Sequence, residues 1–549
     1  MADGNAALVT RGSDLVARLS KDLMRQSGFS SLTLSIYDTA WLAMIINKSG
    51  EGSGWLFPES FAYLLENQGS DGGWDPLQQS TRSLGYPNSL WLTDCIIHSL
   101  AALLALCRHA RGPDPPADVS SRMLGFELLM PVHLLLLQEE GIGFEFSSKA
   151  ELFRKFQEAS AVDLDWLYDK APCQVPLFSL EAYIGKLDFS RLSHLPTSTG
   201  VAASPASTAA FLIHSPRWST QCEAYLRHVV IRGPGKGNGS VPGVFPLEVF
   251  EPTWVLATLL ENRFTKEHLG AVQVDLLLQF LYRNWEDDGV IGATKAFFPD
   301  ADDTSRILTL LNLNGYNLSP VGLVARFEVE DCFATFDTKM PKRVKSISVN
   351  GNVLCSLLQC PTPSAFVPQI EKVARFLCNQ WRTHPTDIQD HWNISFYYTL
   401  MRMAQPLSLL MSAHNQNRLS LSLDLVQSLA PDCLRGIRAW ILANQHADGT
   451  WGRLPCSEET AYAVVALAHI KSSHVVPANK VSVDPAIHRA MRVLWQACVS
   501  KCPSPDRLWT GKVLHGISSV SEAYMLAALR IGMNHVSLAD SSPPYRESL

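Results

Sequence analysis

The sequence is poor in charged residues. Asp, Glu, Lys and Arg make up 18 % of the 549 residues, whereas hydrophobic residues make up 46 %. A typical soluble domain has about 25 % charged residues, so this chain has much interior and little charged surface. This composition excludes wholesale disorder.

The sequence also lacks the signals of a nucleic-acid-binding, membrane or secreted protein. A formal net charge of −6 argues against nucleic acid as the main partner, because the phosphate backbone is bound by basic surfaces. No uninterrupted apolar run reaches the roughly 18 residues that a membrane span needs, so no span is predicted. The N-terminus has no basic stretch followed by an apolar one, so no secretory signal is expected.

Paired cysteines are missing as well. The 12 cysteines are scattered and form no C-x-x-C pair. Cys498 and Cys502 have the spacing of one helix face rather than that of a zinc site. We therefore expect reduced thiols and a cytoplasmic protein.

Apolar residues recur with a helical period along nearly the whole chain. The spacing i, i+3, i+4 and i+7 is found, for example, in Leu92–Cys107, Val272–Trp285 and Ser305–Leu313. Alternating runs typical of strands are few and short. The sequence therefore predicts an all-α fold.

Two distant segments resemble each other. Asn67–Trp74 reads NQGSDGGW and Asn444–Trp451 reads NQHADGTW. In both we expect a helix to end at the polar pair, the chain to turn at Asp-Gly, and the Trp to pack back on the helix end. A generic turn before a core Trp would explain one occurrence, whereas two indicate duplicated helical hairpins and an α-barrel.

Three aspartates crowd the predicted start of one helix. Asp300, Asp302 and Asp303 directly precede the helical apolar pattern of Ser305–Leu311. One N-cap needs only one aspartate. Carboxylates this close repel one another, and in a dry cavity the least costly relief is a proton kept on one of them. A carboxylic acid held neutral is a general acid, so the cluster predicts acid–base chemistry.

A metal site at these acids is disfavoured by their spacing. One helical turn after Asp302, where a D-D-x-x-D motif would place a carboxylate, stands Arg306. A cation there opposes a bound Mg²⁺. The segment 286–288 also fails this spacing and predicts a polar turn, so the sequence gives no metal ligands.

Seven motifs in order resemble those of the class II terpene cyclases, specifically the diterpene cyclases of the copalyl diphosphate synthase type, and fungal members most of all. The acids match the D-x-D-D motif of this family. The other matches are Ser35–Trp41 (SIYDTAW), Gly125-Phe126-Glu127 with Pro131, Ser204–Ala209 (SPASTA), Val244–Glu251 (VFPLEVFE), Trp392–Ser395 (WNIS) with Tyr397-Tyr398, and Leu508–Lys512 (LWTGK).

The resemblance implies two α-barrel domains of the α6–α6 type, called β and γ, with γ inserted into β and the active site between them. We place the β domain at residues 1–51 and 249–540, the γ domain at 52–248, and a tail or the start of a linker at 541–549. The third, α domain of longer relatives has no counterpart here. The chain is therefore either a two-domain enzyme or the cyclase half of a longer protein.

The resemblance also implies a reaction. An acid protonates the terminal alkene of geranylgeranyl diphosphate, two rings close through carbocations, a proton is lost, and the diphosphate is retained. By position Asp302 is the proton donor, and Asp300 and Asp303 orient it and raise its acidity. Mg²⁺ is the implied cofactor, and Lys512 is the candidate cation for the diphosphate. Lys295 and Arg306 are alternatives, although solvated or salt-bridged side chains are as good an interpretation of all three.

Other residues are candidates for substrate contact. Asn350 or Asn352 would hydrogen-bond the acids, unless it merely supports a turn. Carbocations bind aromatic faces, and Trp254 falls where relatives often place an active-site aromatic residue. The further aromatic candidates, of which we expect only some to line the cavity, are Trp285, Phe297, Phe298, Trp392 and Tyr398.

Some family positions differ. Plant enzymes that make the ent product hold a basic water with the His of L-H-S and the Asn of P-N-V. Here these stretches read Leu177-Phe178-Ser179 and Pro242-Gly243-Val244. The deprotonating group is therefore different, and ent stereochemistry is not supported. The acidic Mg²⁺ motif before G-F-E is also missing, since residues 118–124 read DVSSRML.

Alternative functions stay open. In one alternative, the protein is a class II cyclase that acts on farnesyl diphosphate or a longer prenyl diphosphate. In another the barrels are a non-catalytic scaffold for a fused prenyltransferase or α domain. Squalene-type triterpene cyclases share D-x-D-D but carry more Q-W repeats than this chain. Homo-oligomers are a further option, because relatives with the α domain often assemble.

Overall fold

A computed structural model describes most of the chain. The described residues are 2–24, 28–47, 54–69, 72–75, 88–110, 126–146, 149–159, 165–168, 175–285, 288–295, 297–337, 344–385, 388, 390–452, 456–475, 482–499 and 505–533. The predictions for the tail 541–549, for residues 118–125, for residues 286 and 287 and for Cys502 lie outside them.

The described residues are mainly helical, which confirms the predicted all-α fold. Two short antiparallel ladders join β1 (Leu34–Ser35) to β2 (Val241–Pro242), with Ser35 opposite Val241, and β3 (Trp509–Thr510) to β4 (Leu514–His515), with Thr510 opposite Leu514. The α-helices are α1 Ala2–Met24, α2 Ile36–Ala43, α3 Pro58–Glu66, α4 Asn88–Ala110, α5 Phe126–Glu139, α6 Lys149–Ala159, α7 Pro205–His214, α8 Thr220–Arg232, α9 Phe250–Glu261, α10 Lys266–Leu269, α11 Ala271–Asn284, α12 Ala301–Leu313, α13 Val321–Phe327, α14 Ile347–Gln359, α15 Val367–Thr383, α16 Phe396–Asn415, α17 Ala430–Ala443, α18 Ser457–Ser472, α19 Asp484–Val499 and α20 Ser518–Met533.

Two hydrophobic cores divide the molecule. The first buries side chains from 8 to 32 and from 247 to 531. The second buries side chains from 36 to 245, together with Val513 and Leu514. The chain thus leaves the first core, builds the second and returns, which confirms the predicted insertion. The core changes between Leu32 and Ile36 and again between Phe245 and Leu247; the boundaries at 51 and 248 stay predictions.

Six helices close a ring in the first core. They are α9, α12, α14, α16, α18 and α20, each packed on the next, with α20 packed back on α9. A helix outside the ring, such as α11, α13, α15, α17 or α19, lies between each consecutive pair in the sequence. The six ring helices therefore run in the same direction, and their N-termini meet at one end, which we call the barrel mouth.

Contacts run around the barrel mouth from one helix start to the next. Phe250 N–H donates to Ala293 O at 3.0 Å and joins α9 to the approach of α12, and the bridge between Asp300 and Phe336 joins α12 to the approach of α14. Ser348 Oγ donates to Asp390 Oδ2 at 2.8 Å, between α14 and the approach of α16, and Ser395 Oγ donates to Glu459 Oε1 at 2.7 Å, between α16 and α18. Trp509 Nε1 donates to Glu458 Oε1 at 3.2 Å, between the approach of α20 and α18, and Ser519 Oγ of α20 donates to Glu251 Oε2 of α9 at 2.8 Å.

The repeated segment has the same hydrogen bonds in both cores. The indole Nε1 of Trp74 donates to Leu64 O at 2.8 Å, and that of Trp451 donates to Ile441 O at 2.7 Å. The turns pass through Gly72 and Gly449 at φ of +83° and +96°, a conformation that favours glycine. The predicted duplication is therefore present in the structure, with one Trp closing a helix end in each core.

One helix in the described part of the chain is long and apolar enough to cross a membrane. It is α4, over Trp91–His109, with a mean hydropathy of 1.4. The sequence analysis predicted no span here, because the best apolar run, Ile96–Cys107, is short and contains His98. In the structure, 56 % of this stretch is buried, and α4 packs against α2 and α5 as a core helix does.

The fold predicts a large cost for removing Trp451. Its side chain is fully buried and also hydrogen-bonds Ile441, so Trp451→Ala should lower the free energy of unfolding by about 3–5 kcal/mol in urea denaturation. Trp74→Ala is the matched change in the second core and should act in the same direction. A loss below about 1 kcal/mol at Trp451 would contradict this packing.

Candidate active site

The acid cluster caps a ring helix at the barrel mouth. Asp300 is the N-cap of α12, and its carboxylate accepts the backbone N–H of Asp303 at 2.8 Å. The backbone N–H of Ala301 donates to Thr335 O at 2.9 Å and fixes this start. The side chains of Asp300, Asp302 and Asp303 are 2 %, 4 % and 4 % exposed. The predicted placement at a helix N-terminus is therefore confirmed, and the cluster is buried.

A hydrogen-bonded chain orients Asp302. The amide Nδ2 of Asn352 donates to Asp302 Oδ1 at 2.6 Å, while Asn352 Oδ1 accepts from the guanidinium of Arg402. Arginine carries only donors, so the amide of Asn352 has to present its N–H to Asp302. Oδ1 of Asp302 is therefore an acceptor, and the acidic proton is carried by Oδ2.

Close packing of α14 on α16 brings Asn352 within hydrogen-bonding distance of Arg402. A Cβ on Gly351 would overlap the backbone oxygen of Arg402. The missing side chain lets the two helices approach, which brings the next residue, Asn352, against the guanidinium of Arg402.

Burial and neighbouring carboxyls keep protons on the cluster. The pKa of Asp302 is raised to about 7, first by burial and then by the charge of Asp300, whereas the Asn352 hydrogen bond lowers it. The pKa of Asp303 is raised well above its ordinary value by burial and by both other aspartates. Burial also raises the pKa of Asp300, although hydrogen bonds from Asp303 oppose this rise. Of Asp300 and Asp303, Asp303 therefore carries the proton, and Asp300 accepts the hydrogen bond that this proton makes.

Asp390, in the loop between α15 and α16, helps to keep Asp302 protonated, and the sequence analysis did not identify it. Its carboxylate accepts hydrogen bonds from Ser346 Oγ at 2.8 Å, from Ser348 N at 2.9 Å and Oγ at 2.8 Å, and from Trp392 N at 3.0 Å. Its charge raises the pKa of Asp302. The available signal was an acidic residue two positions before the W-N-x-S motif.

Aromatic side chains line the barrel mouth around the acid. Tyr398 is buried on α16, and the charge of Asp302 raises its pKa, after the larger effects of burial and of Tyr524. The ring centroids lie 5.1 Å apart for Tyr398–Trp509, 5.2 Å for Tyr398–Tyr462, 4.8 Å for Tyr462–Tyr524, 5.8 Å for Phe250–Trp509 and 4.1 Å for Phe250–Trp254. Of this group, Trp254 and Tyr398 were predicted candidates; Tyr462 and Tyr524 were missed because single tyrosines at helical spacing are typical of a core.

A second row of aromatic rings leads from the acids toward the inserted core. Its successive centroid distances are 5.2 Å for Phe178–Phe297, 4.4 Å for Phe297–Phe298, 5.2 Å for Phe298–Phe336 and 5.9 Å for Phe336–Trp392. The structure thus brings the candidates Phe298 and Trp392 together through Phe336. Trp285 instead follows α11, outside the ring, and is half-buried against the first core.

Asn350 does not reach the acids. Its Oδ1 accepts Phe333 N–H at 2.9 Å, and its Nδ2 donates to Phe333 O at 3.0 Å and Ser346 O at 2.8 Å. The side chain is fully occupied with backbone groups of the loop before α14. Of the two asparagines that the sequence offered, Asn352 is the one that contacts Asp302.

The cations proposed for the diphosphate are mostly engaged with protein groups. Lys512 is 2 % exposed, and its Nζ lies 2.5 Å from Glu181 Oε1 and 2.8 Å from Ser204 Oγ. Arg306 Nη1 lies 2.6 Å from Glu261 Oε2. Lys295 is exposed. The interpretation of Lys512 and Arg306 as salt-bridged residues therefore fits the structure better than that of free diphosphate ligands.

The acid cluster does not fit a Mg²⁺ site. Mg²⁺ binds carboxyl groups as ionised carboxylates, in an octahedral shell that keeps several waters, whereas these carboxyls are buried and their raised pKa values favour the protonated form. Within the ranges that the structure describes, no group of three or more His, Cys, Asp and Glu side chains could hold a metal ion.

The raised pKa of Asp302 predicts a pH-dependent gain in stability for Asp302→Asn. Between the ordinary pKa of 3.8 and the folded value of about 7, the folded protein binds more protons at this group than the unfolded chain. Its contribution to stability therefore falls as the pH rises through this window, and an amide escapes that loss. In urea denaturation the variant should gain more over the wild type at pH 8 than at pH 4.5. Equal differences at both pH values would contradict the burial of a protonated Asp302.

The ion pair of Lys512 predicts a large effect on folding. Lys512→Met leaves Glu181 buried without its cation, which should cost about 3–5 kcal/mol of unfolding free energy. The double variant Lys512→Met/Glu181→Gln should recover much of this loss. If instead Lys512 served only to bind diphosphate, Lys512→Met would leave the urea denaturation midpoint near that of the wild type.

Known proteins with similar sequences include synthases from several fungi, although no family model matches the chain. The copalyl diphosphate synthase of Talaromyces verruculosus is 34 % identical over 547 residues, covering 94 % of this chain and 55 % of that protein. The ent-kaur-16-ene synthase of Phaeosphaeria sp. is 34 % identical over 557 residues, covering 95 % and 57 %. The bifunctional ent-kaurene synthase of Gibberella fujikuroi is 33 % identical, covering 95 % and 56 %. The chain therefore spans little more than half the length of these relatives.

Solved structures share the fold. The ent-copalyl diphosphate synthase of Streptomyces platensis superposes with a TM-score of 0.71 at 23 % identity, covering 96 % of this chain and all of that one. Abietadiene synthase of Abies grandis gives a TM-score of 0.56 at 19 % identity, covering 96 % of this chain and 73 % of that one. These findings show that the chain has the fold of the solved class II diterpene cyclases and that, over 94–95 % of its length, its sequence resembles diterpene synthases of the copalyl diphosphate synthase type.

Proposed function

We propose that the protein protonates the terminal alkene of geranylgeranyl diphosphate and closes two rings, which yields a copalyl-type diphosphate with the diphosphate retained. The observation that carries this proposal is Asp302, a buried carboxyl that keeps its proton near neutral pH and is oriented by Asn352 at a mouth lined with aromatic rings.

The surroundings of Asp302 suit an acid that has to protonate an alkene. Burial keeps the proton in place until substrate arrives, while the amide of Asn352, itself held by Arg402, stabilises the carboxylate that is left behind. The proton leaves from Oδ2, its electron pair stays on Asp302, and the alkene π electrons form the new C–H bond. The resulting cation would face the rings of Tyr398 and Trp254, whose quadrupoles stabilise positive charge.

Several findings support the choice of substrate. The curated relatives include a copalyl diphosphate synthase and ent-kaurene synthases. The Arabidopsis thaliana enzyme, which shares the fold with a TM-score of 0.55 at 19 % identity, was solved with a geranylgeranyl thiolodiphosphate analogue. Farnesyl diphosphate and longer prenyl diphosphates stay as alternatives within the same chemistry, and cavity length decides among them.

Mg²⁺ and a fused domain belong to the proposal as well. Bound Mg²⁺ would neutralise charge on the substrate diphosphate, away from the acid cluster, which does not fit the ion.

We also propose the β and γ domains as the cyclase part of a longer protein, since some relatives are named bifunctional synthases and this chain spans little more than half of their length.

The alternative of a non-catalytic scaffold is opposed by the cost of the acid cluster. Burying three carboxyls side by side raises their pKa values and lowers stability above neutral pH. A support domain would gain nothing from this arrangement, whereas a general acid requires it.

The proposed function is tested by product analysis. The chain is incubated with geranylgeranyl diphosphate and Mg²⁺, treated with phosphatase, and the alcohol is identified by mass spectrometry. We expect a bicyclic alcohol from the wild type and a fall of its formation by roughly 10²-fold or more in Asp302→Asn, because the proton donor is lost.

The matched control is Asp331→Asn. Asp331 is a carboxylate about half exposed in an ion pair with Lys345, so its replacement should leave product formation near the wild-type rate. Linear alcohols only, from the wild type with farnesyl, geranylgeranyl and longer diphosphates, would support the scaffold. Parallel assays with farnesyl diphosphate distinguish the choice of chain length from the choice of chemistry.

A further inference from the structure

Glu458 is a buried carboxyl for which the mechanism above has no use. It lies in the first turn of α18, is fully buried, and burial raises its pKa to about 8. Its neighbour Glu459 is also buried, but the carboxylate of that residue accepts the Ser395 hydroxyl at 2.7 Å and so ties α18 to the start of α16. Glu458 contacts Trp509 of β3 through Oε1 only, which leaves its other oxygen outside the contacts between ring helices.

The two oxygens of Glu458 have different surroundings. Oε1 accepts hydrogen bonds from the hydroxyl of Tyr462 and from Trp509 Nε1, the latter at 3.2 Å. Oε2 is buried and has no hydrogen-bond partner among the described residues. The charge of Asp506 raises the pKa of Glu458, while the Ser521 hydroxyl lowers it as a nearby hydrogen-bond donor to the carboxyl. Tyr462 and Trp509 thus hold Oε1 in place, and Oε2 is the oxygen that can accept a proton.

Glu458 faces the inside of the ring. Tyr462 follows it by one helical turn on the same face of α18 and packs on Tyr398 of α16 and Tyr524 of α20, at 5.2 Å and 4.8 Å between ring centroids. Both of those helices are neighbours of α18 within the ring. The face of α18 that carries Glu458 and Tyr462 is therefore the interior face.

Asp302 and Glu458 stand on opposite sides of the barrel mouth. In the ring order α9, α12, α14, α16, α18, α20, the helices α12 and α18 are three positions apart, which is the largest separation that a ring of six allows. Tyr398 on α16 is close to both sides, since the charge of Asp302 raises its pKa and its ring contacts that of Tyr462, one turn from Glu458. A molecule held among these aromatic rings would have one carboxyl at each side.

We propose that Glu458 is the base that ends the cyclisation. In this step Oε2 takes a proton from a carbon next to the final ring cation, the C–H electron pair becomes the new alkene, and the charge on the ring is cancelled. One proton enters the substrate from Asp302 and one leaves to Glu458, so the product is an isomer of the substrate. Both carboxyls then exchange protons with water before the next turnover.

The local chemistry fits this role. The step needs Asp302 protonated and Glu458 ionised, although the pKa of Glu458, about 8, lies above that of Asp302, about 7, so a minor fraction of the molecules is in the reactive form at neutral pH. The donors to Oε1 stabilise the ionised form of Glu458, and its raised pKa makes that form a stronger base than a carboxylate in water. Glu458 places a proton acceptor within the barrel mouth.

The inference rests on the proposed function and is tested with Glu458→Gln, which keeps the size of the side chain. With geranylgeranyl diphosphate and Mg²⁺, the variant should still consume substrate, while formation of the wild-type alkene falls by roughly 100-fold or more. The cation should instead be captured by water or lose a proton elsewhere, which gives a hydroxylated bicyclic alcohol or a shifted alkene after phosphatase treatment. Glu459→Gln, the same change one residue along, should keep the wild-type alkene as its main product.

Two further measurements keep the test decisive. Tyr462→Phe removes a donor to Oε1 without changing Oε2 and should shift the product mixture in the same direction by a smaller factor, which decides the matter if Glu458→Gln does not fold. Wild-type alkene at the wild-type rate from folded Glu458→Gln would overturn the inference and leave the proposed function intact. No cyclic product from the wild type would instead overturn the proposed function.

Discussion

A carboxyl that stays protonated because water cannot reach it is the constraint on which this site depends. Asp302 lies at a helix N-terminus, which by itself favours a charged carboxylate, yet burial and the charge of Asp300 outweigh that effect and raise its pKa to about 7. The hydrogen bond from Asn352 prevents the acid from becoming too weak. The balance of these effects gives a proton that is kept at rest and can still be given to a poor base.

The ring of six helices explains how the acid acquires its surroundings. Because all six helices start at the same end, the first two turns of α12, α14, α16 and α18 bring their polar side chains to one place. Other buried polar groups join the two cores. Lys512 pairs with Glu181 of the inserted core, and Leu514 N–H donates to Asp94 Oδ1 at 2.7 Å. The hairpin of β3 and β4 therefore carries both Trp509 at the mouth and the contacts that hold the cores together.

Local signals in the sequence were sufficient for the fold and for the acid. The helical periodicity, the repeated turns before Trp74 and Trp451, and the three clustered aspartates are each patterns among residues close together in the sequence. The structure shows the helices, the turns at Gly72 and Gly449, and the acid cluster where the sequence predicted them. The partners of the acid depend on packing between helices. Asn352 rather than Asn350 reaches Asp302 because Gly351 lets α14 approach α16, and no pattern within either helix indicates this choice. Lys512 was interpreted from its motif alone, whereas its environment is set by Glu181, which is 331 residues away.

The central claim is that Asp302 donates its proton to the terminal alkene, and isotope incorporation tests it most directly. The wild-type chain is incubated with geranylgeranyl diphosphate and Mg²⁺ in D₂O, and the bicyclic product is examined by mass spectrometry and NMR. The account predicts one deuterium per molecule, on the ring carbon that was the terminal alkene CH, because a buried carboxyl exchanges with solvent between turnovers. A cyclic product without deuterium, or one labelled at another carbon, would contradict it.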